Sequence, residues 1–150
     1  MSGFLLDANV VAMLSPVEPE ASPAFLDWLE RRDREGRLFL SVVMVHEIVR
    51  TIAAFEHKDE LEKSAALTGW LAGLVAAYDD RIIALDATAA ARAARLEAKA
   101  IAAGHAPGMA DALVAGVADS HDLVIVTRTP EHFAAFGVTT VSPDAATSLS

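Results

Sequence analysis

The chain of 150 residues has no cysteine. That excludes disulfides and thiolate metal sites. It also has no apolar run near the roughly 20 residues needed to cross a bilayer. The N-terminus lacks a basic region leading into a signal-peptide core. A soluble cytoplasmic protein with no membrane partner is expected. Positive charge is also scarce: 12 basic residues face 21 acidic ones, for a formal charge of −9. That balance argues against a broad electrostatic grip on nucleic acid. It does not exclude an enzyme that meets phosphate through cations held by carboxylates, and a basic partner protein would suit the same balance. There is no repeat, low-complexity segment or interdomain linker, so one domain spanning 1–150 around one core is expected.

What is present begins with Phe4-Leu5-Leu6, a short apolar run without polar alternation, as in a strand buried on both faces of a parallel sheet. It stops at Asp7, with Asn9 two residues on. On this stretch alone, Asp7 reads first as the cap of a helix over Val10 to Leu14. A carboxylate just past a strand end also sits where open α/β sheets place their ligands. After a proline-bearing loop, Ser22-Pro23 starts a helix that Gly36 ends. Leu38-Phe39-Leu40 is a second strand, and Ser41 can cap the helix beyond it. That helix carries Val42, Val45, Ile48, Val49 and Ile52, with Glu47 among them. A carboxylate there is costly unless it is paired or binds a cation. The plainer alternative is an exposed Glu47 pairing with Arg50 at i+3.

Asp59 to Tyr78 reads as a long amphipathic helix. Ile82 to Leu85 is a third strand, and Asp86 caps an alanine-rich helix running towards Gly104. His105 to Gly108 is a turn. The next helix opens at Met109 and closes near Asp122, with Asp111 in its first turn, where the helix dipole favours negative charge. Leu123 to Val126 is the clearest strand. A short helix over Phe133 and Phe136, a last strand over Val138 to Val141 and a small polar tail complete the chain. The alternation implies an α/β fold, a parallel sheet covered on both faces.

Asp7, Glu47 and Asp111 form a set of carboxylates far apart in sequence. Brought together, such a set suits Mg²⁺ or Mn²⁺, which take oxygen ligands and keep waters. Like charges at close range repel, so the cluster makes sense with a cation in it. Its generic chemistry is activation of water for attack on a phosphodiester.

The segments Leu5-Leu6-Asp7-Ala8-Asn9-Val10-Val11, Leu40-Ser41 followed by Glu47-Ile48, Met109 to Ala115, and Val126-Thr127-Arg128 resemble the PIN-domain ribonucleases. The match is to the VapC toxin type of toxin–antitoxin pairs. Four motifs in family order and at family spacing span essentially the whole chain. The resemblance implies a three-layer α/β/α sandwich around a central parallel sheet of about five strands. It implies a metal-dependent endoribonuclease acting on RNA, a homodimer, and inhibition by a small VapB-like antitoxin. Asp7, Glu47 and Asp111 fall on the family's acidic metal positions. Asn9, Ser41, Thr127, Arg128 and Thr129 fall on positions that support the site or contact substrate.

The chain departs from the family at three places. Ala8 stands where Thr is usual, while Thr129 and His132 stand where a fourth acid would be. The alternative reading is therefore a PIN-like module that binds RNA or protein without cutting. A different Mg²⁺-dependent phosphotransfer fold, with Asp7 as nucleophile, would call for a second acid at Asn9.

Overall fold

The computed structural model describes residues 3–149. Four parallel pairings build one five-stranded sheet in the order β3-β2-β1-β4-β5. The strands are β1 (Gly3–Leu6), β2 (Leu38–Ser41), β3 (Ile82–Ile83), β4 (Leu123–Val126) and β5 (Thr140–Val141). The helices are α1 (Ala8–Ala12), α2 (Pro23–Arg34), α3 (Val42–His57), α4 (Leu61–Tyr78), α5 (Ala87–Ala102), α6 (Met109–His121) and α7 (Pro143–Ala146). This is the α/β/α sandwich expected.

The continuous apolar runs of β1 and β4 follow from cover on both faces. Successive side chains on a strand point to opposite sides. Phe4, Leu6, Val124 and Val126 join one core with Phe25 and Trp28 of α2, Met44 and Ile52 of α3, and Leu67 and Leu71 of α4. Leu5 and Ile125 join the other, against Ala89 of α5, Ala115 and Val117 of α6, and Phe133 and Phe136. Because α5 and α6 meet through small residues, they approach closely. A Cβ added at Gly116 would lie 2.6 Å from both the Ala89 carbonyl oxygen and the Ala93 Cβ.

The caps hold as read. Ser22 Oγ accepts from the Phe25 N–H at 3.1 Å, with Pro23 opening α2. Asp86 accepts from Ala89 N–H at 2.8 Å, and Asp122 closes α6 in the left-handed region.

α1 runs Ala8–Ala12 rather than Val10 to Leu14, because Asp7 caps it at Ala8. α4 starts at Leu61 rather than Asp59, whose φ of +59° is not helical. Four further boundaries differ from the sequence reading, each for a physical reason. β3 stops at Ile83 rather than Leu85, because β2, its partner among the described residues, turns into α3 after Ser41 and offers Ala84 and Leu85 no ladder. β5 covers only Thr140–Val141, since Gly137 at φ +70° turns the chain just before it and the first ladder acceptor is the Thr139 carbonyl. The short helix over Phe133 and Phe136 is instead two 3₁₀ turns, Pro130–His132 and Ala134–Phe136, with Phe133 as the junction between them. The tail contains α7, capped by Ser142, whose Ala146 is fully buried. Four residues are too few to show helical periodicity in sequence.

Candidate active site

All strands run parallel, so their C-terminal ends share one edge of the sheet. The chain moves from β1 outward to β2 and β3, then returns past β1 to β4 and β5. The crevice at this reversal, between the ends of β1 and β4, is where α/β sheets place their ligands. Asp7 follows β1 at that point, and Thr127 follows β4 beside it.

Asp7 is 6% exposed and serves two functions at once. Its Oδ1 accepts the Ala8 N–H at 2.9 Å, capping α1. Its Oδ2 accepts the Thr127 hydroxyl at 2.8 Å. The capping reading holds through one oxygen, and the other joins Asp7 to the end of β4.

Around that bond lies a closed network. Asn9 Nδ2 donates to Thr127 Oγ1 at 3.4 Å and to Thr129 Oγ1 at 3.2 Å, while Asn9 Oδ1 accepts the Arg128 N–H at 3.1 Å. The Thr129 N–H also donates to Thr127 Oγ1, at 3.1 Å. Asn9 therefore clips the first turn of α1 to the segment leaving β4. The Arg128 side chain turns outward, its guanidinium 3.0 Å from Glu20. Glu20 went unnoticed in the sequence because a pairing between two half-exposed loop residues leaves no local pattern.

Glu47 reaches the same edge from α3, and Asp111 from the first turn of α6. Burial raises the pKa of all three carboxylates. Electrostatics tie them together as well. Asp7 and Asp111 both push Glu47 up, and Asp111 pushes Asp7 up. His132 opposes this: its Nδ1 lies 3.6 Å from Asp111 Oδ2, and it lowers both Asp111 and Asp7. Arg50 and His46 likewise lower Glu47 without forming an ion pair to it among the described residues. The i+3 pairing alternative for Glu47 is therefore not what its environment shows.

The structure brings Asp7, Asn9, Thr127, Arg128 and Thr129 into direct hydrogen-bonded contact, with Glu47 and Asp111 as electrostatic neighbours. Ser41 is different. It is buried, and its Oγ accepts the Met44 N–H at 3.4 Å, so its visible role is to cap α3. Among the described residues no three acid or imidazole groups converge closely enough to enclose a metal ion. The donor set nevertheless suits a hard divalent cation. Three carboxylates, each made harder to ionise by burial, two of them also by neighbouring acids, are what such a charge relieves. His132 adds one nitrogen donor beside them.

A groove of about 260 Å³ opens on the Arg128 flank, floored by Met13, Ile48, Phe55 and Leu67 and edged by Glu18 and Glu20. On the Asp111 flank lies a second cleft of about 320 Å³, between the His105–Gly108 turn and the Pro130–His132 turn.

The PIN-domain family model matches residues 4–136. A plasmid stability protein, StbB, from Pseudomonas syringae pv. tomato is 31% identical over 143 residues, covering 93% of this chain and 97% of that protein. Two solved structures superpose along nearly the whole chain. FitAcB from Neisseria gonorrhoeae has a TM-score of 0.78 at 27% identity, covering 93% of this chain and 97% of its own. A DNA-bound VapBC from Salmonella typhimurium has a TM-score of 0.69 at 25% identity, covering 95% and 99%. With the fold and these matches in agreement, the chain belongs to the PIN-domain family.

Proposed function

We propose that this chain is the toxin of a type II toxin–antitoxin pair, a cytoplasmic endoribonuclease dependent on Mg²⁺ or Mn²⁺. The observation that carries the reading is the gathering of Asp7, Glu47 and Asp111 at the sheet's reversal point, where burial raises the pKa of all three and neighbouring acids raise Asp7 and Glu47 further. The similarity to FitAcB and VapBC supports the toxin assignment.

In this reading the three carboxylates hold the cation, and His132 stands beside Asp111 as a further donor. When bound, a divalent cation supplies a water of lowered pKa and charge stabilisation at the phosphate. The chain's own groups do the remaining work. Thr127 fixes the Asp7 carboxylate, since a donor on one oxygen holds its plane and favours its ionised form against burial. Asn9 ties Thr127 and Thr129 to α1, so the β4 end and the first acid move as one unit. Arg128 leaves Glu20 for a substrate phosphate, exchanging one carboxylate partner for another anion of better bidentate fit.

The groove on the Arg128 flank suits the antitoxin. Its apolar floor with an acidic rim would take an amphipathic segment carrying Arg or Lys, and a homodimer would present two such grooves. A second reading, a PIN-like module that binds without cutting, is favoured by one observation: Thr129 and His132 replace the fourth acid. Incubating the purified chain with total RNA, with Mn²⁺ or with chelator, decides between them. Cleavage that needs the metal supports the nuclease. Intact RNA that nevertheless shifts on a gel supports the binding module.

A further inference from the structure

We propose that the cleft beside Asp111 is a base-binding subsite for the nucleotide adjoining the scissile phosphate, and that it selects guanine. The inference rests on the RNA-cleaving reading and adds to it the feature that sets sequence preference.

The cleft shares a wall with the acid cluster, because Asp111 lines both. A nucleotide whose phosphate meets the acids through a cation therefore has this cleft within reach of its base. Pro107 and Ala135 give apolar surface, and His105 and His132 add two flat imidazoles. RNA is read mainly through unstacked bases laid on such rings, with hydrogen bonds to their pairing edges. Stacking alone is tolerant of sequence. The selective group is Glu131, whose carboxylate, like the His105 imidazole, makes no hydrogen bond or ion pair with the described residues. Asp111 belongs to the acid cluster that holds the cation in this reading, which leaves Glu131 as the acceptor for a base.

A carboxylate accepts hydrogen bonds and cannot donate them. Guanine presents two adjacent donors on its pairing edge, N1–H and the N2 amino group, which match the two oxygens of one carboxylate. Cytosine and adenine each offer one amino group beside a ring-nitrogen acceptor that a carboxylate repels. Uracil offers one N–H between two carbonyls. The chemistry of the wall thus ranks guanine first.

The test uses short single-stranded oligoribonucleotides identical except at the two nucleotides flanking one phosphate, each permuted through the four bases. Cleavage with Mn²⁺ is measured for the wild-type chain, for Glu131→Gln and for His105→Ala. The wild type should favour guanine at one of the two positions by roughly tenfold in kcat/KM, the scale of one good base-edge contact. Glu131→Gln should bring that preference to within about twofold while still cutting. His105→Ala should raise KM for every base and leave kcat in place. A wild type with equal rates on all bases, or an unchanged guanine preference in Glu131→Gln, would overturn the subsite. If no oligomer is cut, the nuclease reading fails separately, and binding of 2′-O-methyl oligomers then decides. A guanine preference lost in Glu131→Gln sustains the subsite, and equal or absent binding overturns it.

Discussion

The Thr127 hydroxyl donates to Asp7 Oδ2 at 2.8 Å, joining the C-terminal ends of two neighbouring strands whose residues are 120 positions apart in sequence. The bond is buried, and Thr127 Oγ1 also accepts from Asn9 and from the Thr129 N–H. Thr127→Val keeps the shape and removes the donor. It leaves a buried carboxylate oxygen unsatisfied, at a cost of about 1–3 kcal/mol. Chemical denaturation in chelator should show that loss, and Thr127→Ser should restore most of it. Mn²⁺ affinity should fall in Thr127→Val and recover in Thr127→Ser, roughly 10- to 100-fold apart as for supporting residues elsewhere.

The fold contributes a pH dependence well away from the site. Tyr78, the only tyrosine, is held above its usual pKa by burial first and by Asp33 second, against the opposing Arg81. The Arg81 guanidinium sits 4.5 Å from the ring centroid and pairs with Asp33 at 2.6 Å. Since the folded pKa lies above the unfolded one, the folded chain keeps its proton longer. Stability from this group is therefore complete below about pH 10 and declines as pH rises through the folded value. Tyrosinate absorbance should titrate above pH 10 in the native protein. Arg81→Ala should move the midpoint higher and Asp33→Asn lower.

Two kinds of helical glycine should respond with opposite signs. Gly69 and Gly73 on α4 have open space around an added Cβ. Alanine at each should stabilise by about 0.5–1 kcal/mol through helix propensity. At Gly116 the same propensity gain meets backbone and Cβ atoms of α5 at 2.6 Å. Overpacking costs about 1–3 kcal/mol, so Gly116→Ala should lower the Tm while Gly69→Ala and Gly73→Ala raise it. Thermal unfolding of the three single variants reads the contrast directly.

The metal stoichiometry should follow from the missing fourth acid. Three carboxylates suffice for one divalent ion that keeps several waters. A second ion roughly 3.5–4 Å away would call for another carboxylate or the substrate phosphate. Calorimetry on the RNA-free chain should find one tight site, with Mn²⁺ bound more strongly than Mg²⁺ because His132 offers a softer nitrogen donor. Thr129→Asp should strengthen binding, and His132→Ala should narrow the gap between the two metals. Two equally tight Mg²⁺ sites in the unaltered chain would contradict the scheme.

Much of this was legible in the sequence, for identifiable reasons. Phe4-Leu5-Leu6 and Leu123 to Val126 betray their strands because burial on both faces removes every polar residue. The caps at Ser22, Ser41 and Asp86 show because a short side-chain oxygen must meet an N–H two or three positions on. The acids at 7, 47 and 111 stood out as charges against apolar surroundings. What stayed hidden depends on distance across the fold. The bridging of Thr127 and Thr129 by Asn9, the closure of Arg128 onto Glu20, and the approach of His132 to Asp111 arise only when the ends of β1 and β4 are side by side. Edge strands were overlong in sequence because their length is fixed by the partner strand, not by their own residues.

The central claim is that Asp7 acts at a cation-dependent phosphodiester-cleaving site, beyond capping α1. The most direct measurement compares RNA cleavage by the wild-type chain and by Asp7→Asn, in Mn²⁺ and in chelator, with circular dichroism confirming equal folding. Asparagine is nearly isosteric, and its side-chain oxygen can still accept the Ala8 N–H, so the cap survives while the charge is lost. The expected result is Mn²⁺-dependent cleavage by the wild type and a loss of at least about 100-fold in Asp7→Asn. Cleavage at the wild-type rate by Asp7→Asn, or cleavage undiminished by chelator, would contradict the account.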